Sequence, residues 1–126
     1  GVNPFGIIST VNPQNKPESA VVDLIALENL EILFNTYTTS RKYKNLKTNP
    51  NVSIVVWDGD KIQIQYEGSA LEIEGYELEK YKGYYVEKTN WRIWKIKEFR
   101  YFKVTPEWIR FSDFTSFPEK TFEINF

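Results

Sequence analysis

Ile32-Leu33-Phe34-Asn35-Thr36-Tyr37-Thr38-Thr39-Ser40-Arg41-Lys42-Tyr43-Lys44-Asn45-Leu46-Lys47-Thr48-Asn49-Pro50 changes its hydrophobic period midway. Ile32 to Tyr37 is rich in β-forming residues and predicts a strand, after which Thr38, Thr39 and Ser40 offer hydroxyls suited to capping a helix. Beyond Ser40 the apolar residues Tyr43 and Leu46 fall three apart, Lys44 and Lys47 are left to solvent, and Asn49-Pro50 ends the helix. Arg41 and Lys42 therefore stand in a first helical turn, where the backbone dipole is already positive. Each uncompensated cation there costs about 0.3–1 kcal/mol. An anion reverses the sign, because free N–H groups, dipole and both side chains then act together. An isolated Ser-Arg-Lys is more often a solvated helix face than a ligand site, so the surrounding chain decides its reading.

Upstream, Phe5 to Val11, a polar turn from Asn12 to Pro17, Ser19 to Leu27 and a Glu28-Asn29 turn lead into Glu31 to Tyr37 as consecutive antiparallel hairpins. Downstream, Val52 to Trp57 and Lys61 to Glu74 read as strands around a tight Asp58-Gly59-Asp60 turn. In the second of these, Ile62, Ile64 and Tyr66 share one face whereas Leu71 and Ile73 have the opposite parity. A bulge or barrel corner is expected near Gly68-Ser69. Gly75 to Lys88, with Tyr76, Leu78 and Tyr81, predicts a second helix interrupted at Gly83. Phe99 to Val104 and Trp108 to Phe111 read as one long strand or a strand pair around Thr105-Pro106, and Phe117 to Phe126 as an aromatic tail suited to an edge. The fold class is thus mainly β with a few short helices, in one domain over residues 1–126. Ser19 to Leu27 and Val52 to Trp57 are apolar on both faces, which suits a small closed antiparallel barrel with core on one side and a partner or ligand on the other. Two short helices cannot cover such a barrel, so a homodimer is the expected completion.

Composition narrows the chemistry. Histidine and cysteine are both absent, which removes disulfides, thiol nucleophiles, Cys/His zinc sites and Ser-His-Asp triads. Catalysis by such a chain calls for a bound organic cofactor. A net charge of −1, with 16 basic against 17 acidic residues, argues against nucleic acid as a partner. No stretch approaches a membrane span or a signal peptide, and a cytoplasmic location is expected. Methionine is absent as well, so Gly1 is expected to be a processed start with an N-terminal helix missing before it.

Taken in order, Gly6-Ile7-Ile8-Ser9-Thr10-Val11 with the turn through Pro17, Leu33-Phe34-Asn35-Thr36, Ser40-Arg41-Lys42 with Asn45-Leu46, Asn49-Pro50 to Val56, Gln63-Ile64-Gln65-Tyr66-Glu67-Gly68-Ser69-Ala70, and Phe102 to Phe111 make up a pattern. Over nearly the whole chain it resembles the flavin-binding split barrel of the pyridoxamine 5′-phosphate oxidase-like superfamily. The resemblance implies FMN held between two subunits. By position, Arg41 and Lys42 would hold its phosphate with Ser40 nearby, arginine as a planar fork and lysine as a point charge. Asn35 and Thr36 would end the strand that lines the flavin. Ala20, Val21 and Val22 would lend their backbone to the ring, and Gln63 would reach the cofactor from the other subunit.

The departures restrict the activity. Ile25 stands where the oxidases carry a substrate-gripping lysine, the C-terminal Arg-x-His is missing, Asn35 replaces an aromatic residue, and Ser112 replaces a tryptophan that contacts the cofactor. The vitamin B6 reaction is not expected, and reduced FMN affinity is. The leading expectation is an FMN-dependent oxidoreductase acting on an unidentified small substrate, with no catalytic residue assigned and no metal. Asp23, in an apolar strand, and Lys103 and Arg110, on the last, are weak candidates for roles near the ring or substrate. The alternatives are a non-catalytic flavin-binding or stress-related protein, and a barrel using another phosphate-bearing cofactor such as a deazaflavin. Haem is disfavoured without histidine or cysteine, leaving tyrosine as a ligand.

Overall fold

The computed structural model describes residues 5–89 and 96–126; Gly1 lies outside them. Strands β1 (Phe5–Val11), β2 (Pro17–Ala26) and β3 (Ile32–Tyr37) lead into helix α1 (Arg41–Leu46). The hairpin of β4 (Asn51–Asp58) and β5 (Ile62–Ile73) follows, then helices α2 (Gly75–Lys80) and α3 (Lys82–Thr89), then β6 (Phe99–Asp113) and β7 (Lys120–Asn125). The order is β3-β2-β1-β4-β5-β6-β7, and β3 also pairs with β6. Six antiparallel strands thus close into a barrel, and β7 hangs outside the ring. The first part of β6 pairs with β3 from Phe99 to Val104, while the last pairs with β7 from Trp108 to Asp113. This divergence splits the barrel, as the expected fold class requires.

Alternation along the strands separates two cores. Ile8, Val22, Leu24, Phe34, Ile54, Tyr66, Ala70, Phe102 and Val104 fill the barrel, with the Phe34 and Phe102 rings stacked at 5.2 Å. Helix α1 covers one end of it: Leu46 is buried and Tyr43 packs against the interior, while Lys44 and Lys47 are exposed. Six residues are too few for a helix to persist alone. Burying Leu46, a contribution of about 2 kcal/mol, is what holds this one to the barrel.

Ile25, Leu33, Ile73, Tyr81, Tyr85 and Tyr101 form the second core on the opposite face of the sheet, beneath α2 and α3. This arrangement corrects two expectations. The helical segment breaks at Tyr81 and not at Gly83, which lies inside α3. Tyr81, at the break, and Tyr85, inside α3, both pack into the second core. The irregularity near Gly68 is present, but the unpaired residue is Glu107 of β6, because Glu67 faces Trp108 while Gly68 faces Pro106. Inward parity continues on β5 through Ala70. Ile73 is buried on the other face by the helices, and Leu71 remains 64% exposed. Pro106 has no N–H to give the ladder, and the bulge accommodates it. Among the described residues no helix is long and apolar enough to cross a membrane.

Candidate functional site

The junction of β3 and α1 is built by Ser40. Its backbone is extended, its hydroxyl accepts the Tyr43 N–H at 3.1 Å, and it shares a 2.8 Å hydrogen bond with the buried Thr36 hydroxyl. Of the three candidate caps, Ser40 takes the role, and the first turn contains no acidic residue. Arg41 and Lys42 follow. They meet Thr10, Glu18, Ser19 and Ala20 around a recess of about 110 Å³ at the barrel end that α1 covers.

Charges in this recess are unequally matched. Glu18 accepts from the Asn45 amide at 2.9 Å and the Asn12 amide at 3.3 Å, and pairs with Arg41 at 3.3 Å. The Asn45 hydrogen bond is the main reason its carboxyl titrates below the usual range, with Asn12 and Arg41 adding to the effect against partial desolvation. Lys42 has only burial acting on it, which lowers its pKa; no carboxylate among the described residues offsets the loss of water. One cation more than the anions remains at a concave, partly dry position lined by the Thr10 and Ser19 hydroxyl-bearing residues.

The remaining expected residues are spread over the barrel. Thr36 supports Ser40 from the barrel interior. Val22 points into the core at 5% exposure, so only its backbone can face a ligand, while Val21 on the other face is 65% exposed. Asn35 lies on the outer face opposite Tyr101, and Gln63 on β5 is opposite Trp57 on one side and Ser112 on the other. Neither Asn35 nor Gln63 lines the recess. Asp23 is half-buried on β2, across from Phe5. Lys103 is taken up by Glu77 at 2.7 Å, and Arg110 lies 3.7 Å from Glu123. Thr10, Glu18 and Ser19 join the site without having been expected there. Hairpin register could have found two of them, since Thr10 and Glu18 are direct partners across the β1–β2 turn.

A split barrel carrying a cationic, phosphate-sized recess where a strand enters a helix belongs to a recognisable class. The sequence model of pyridoxamine 5′-phosphate oxidase matches residues 3–113, and the chain belongs to that family. It is 33% identical over 76 residues to the pyridoxine/pyridoxamine 5′-phosphate oxidase of Bacteroides thetaiotaomicron, a match covering 60% of this chain and 36% of the relative's length. Its fold is similar to that of an FMN-binding, pyridoxamine 5′-phosphate oxidase-related protein of Nostoc punctiforme (TM-score 0.76, 13% identity, 98% of this chain and 86% of that one). It is also similar to a heme-binding protein of Mycobacterium smegmatis (TM-score 0.81, 14% identity, 98% of this chain and 53% of that one).

Proposed function

We propose that this chain binds FMN, with the phosphate among Arg41, Lys42 and Ser19, as a flavin-dependent oxidoreductase acting on a small molecule. The observation that carries this reading is Lys42, a half-buried ammonium with no carboxylate partner among the described residues, at the floor of a recess of about 110 Å³. A phosphate group fits that recess and restores the missing counter-charge; a tricyclic ring does not fit. The ring therefore extends along the outer face of β2, past the exposed Val21. Ser40 contributes by holding the turn, since its hydroxyl is committed to Tyr43 and Thr36. Glu18 keeps Arg41 in place and tempers the local charge. FMN supplies electron and hydride transfer when bound; the chain supplies position and electrostatics.

A second subunit belongs to this reading. Ile7 faces both Val21 and Val55 across the sheet, which aligns three apolar side chains on the outer surface. A copy packed there would bring its own Gln63 toward the ring and cover the face that α2 and α3 leave open. The Nostoc protein's FMN supports the cofactor assignment. Haem is the weaker reading, since this chain has no histidine, cysteine or methionine and leaves only tyrosine, among the usual axial ligands, to hold iron.

The test is an absorbance spectrum of the purified chain with and without added FMN, taken after desalting and repeated for Arg41→Ala/Lys42→Ala. Retained flavin that the double variant loses, with an unchanged unfolding midpoint, is the expected result. A colourless protein that cannot be loaded overturns it. Oxidation of reduced nicotinamide with defined acceptors then separates an enzyme from a flavin carrier, and the mass of the released ligand separates FMN from a deazaflavin.

A further inference from the structure

Among the described residues, the end of the barrel opposite α1 is open. Leu24, Ile64, Tyr66 and Ile109 face inward there, and β7 brings Phe122 and Ile124 from outside the ring, around an apolar cavity of about 660 Å³. Small-molecule sites occupy about 300–1,000 Å³. The two polar side chains that line it, Tyr66 and Glu31, already have partners. The Tyr66 hydroxyl donates to the Leu30 carbonyl at 2.7 Å, with the Val104 carbonyl at 3.3 Å. The Glu31 carboxylate accepts from Asn29 at 2.5 Å and from Thr105 at 3.2 Å. An occupant that needed hydrogen bonds or carried charge would lose its hydration without compensation, whereas an apolar one gains by leaving water.

A second observation points to the same place. Leu30, on the cavity wall, has φ +69°, a left-handed conformation that any residue with a Cβ resists. Glycine or asparagine would serve this turn with less strain, and Asn29 sits one position earlier. The strain persists because Tyr66, from within the barrel, holds the Leu30 carbonyl. Backbone strain maintained by surrounding contacts is typical of ligand clamps.

We propose that the open end of the barrel is a binding site for a neutral, apolar small molecule, over which Leu30 closes. The site is independent of the phosphate recess: the two use opposite ends of β2, residues 24–26 here against residues 18–20 there. Its ligand class is an uncharged hydrocarbon chain or a fused aromatic of a few rings.

Fluorescence titration of the whole chain with Nile red, a neutral apolar dye, tests this directly. The expected result is saturable binding of one dye per chain, displaced by dodecanol at least tenfold more effectively than by dodecanoate. Ile124→Trp, which fills the cavity from the edge strand, should weaken dye binding at least tenfold with its unfolding midpoint unchanged. Leu30→Gly should weaken binding without lowering the midpoint, because it removes the clamp and the strain together. Arg41→Ala/Lys42→Ala should bind the dye as the parent does, whatever its behaviour toward FMN. Binding that fails to saturate, that persists undiminished in Ile124→Trp, or that disappears as protein concentration rises and a second copy fills the opening would overturn the proposal.

Discussion

At the scale of single residues the site turns on how Lys42 holds its proton. Burial lowers its pKa, and a bound phosphate would raise it again through opposite charge. On the proposed reading, binding therefore takes up a proton at alkaline pH, and by linkage FMN affinity should be full below the lowered pKa and fall as pH rises through it. Above about pH 7 the FMN phosphate has lost its second proton, whose pKa is about 6, so a decline there reports on the protein and the flavin ring. Lys42→Arg isolates the protein's part, because a guanidinium stays charged throughout. Flavin-fluorescence titrations should show affinity declining by up to about tenfold per pH unit in the parent, with a shallower decline in the variant. Identical profiles would remove Lys42 from the phosphate site. Arg41 and Lys42 are legible in the sequence because the change of period between Tyr37 and Tyr43 locates the helix start without tertiary information. The part played by Glu18 is not, since its strongest partner, Asn45, approaches from the far end of α1 only once that helix sits on the barrel.

At the scale of elements the bulge between β5 and β6 sets how the barrel bends. A Cβ on Gly68 would collide with the Thr105 carbonyl oxygen and crowd Val104, both on rigid strand. Gly68→Ala should therefore destabilise by about 1–3 kcal/mol, the usual penalty for overpacking, read as a lower denaturant midpoint at constant slope. Gly83 gives the contrast: it sits inside α3, and a methyl group added there would meet nothing within 4 Å. Gly83→Ala should be neutral or stabilising by up to about 1 kcal/mol. Equal effects at the two positions would mean that Gly68 is not a packing glycine. The strands are legible because apolar alternation is a local property, bounded here by Asn, Asp, Gly and Pro turns. The bulged partner is not: parity along β5 reveals an irregularity but cannot assign the extra residue to β6. Likewise Ile73 is apolar for the sake of α2 and α3, which a single strand's pattern does not announce.

At the scale of the whole molecule the barrel leaves one face to be covered. The helices bury the outer side of β2, β3, β5 and β6 near Ile25, Leu33, Ile73 and Tyr101, but among the described residues no helix packs over the row formed by Val21, Ile7 and Val55. Val21 is 65% exposed and Phe5, at the end of the same strand as Ile7, is 47% exposed. A symmetric dimer would meet that need with one self-complementary surface, and on the proposed reading, in which the cofactor takes Gln63 from the partner, assembly and binding form one equilibrium. Val55→Glu places a charge at the β4 end of this row while leaving the barrel interior and the recess untouched. Light scattering should then report a dimer for the parent and a monomer for the variant. The FMN titration should weaken by at least about tenfold, because ligand binding and association stabilise one another by mass action. A monomeric variant that binds FMN as tightly as the parent would leave the phosphate recess in place but make each subunit sufficient by itself. In that case the outer apolar row serves association alone, and Gln63 keeps the role its alternating strand gives it, a polar side chain turned to water.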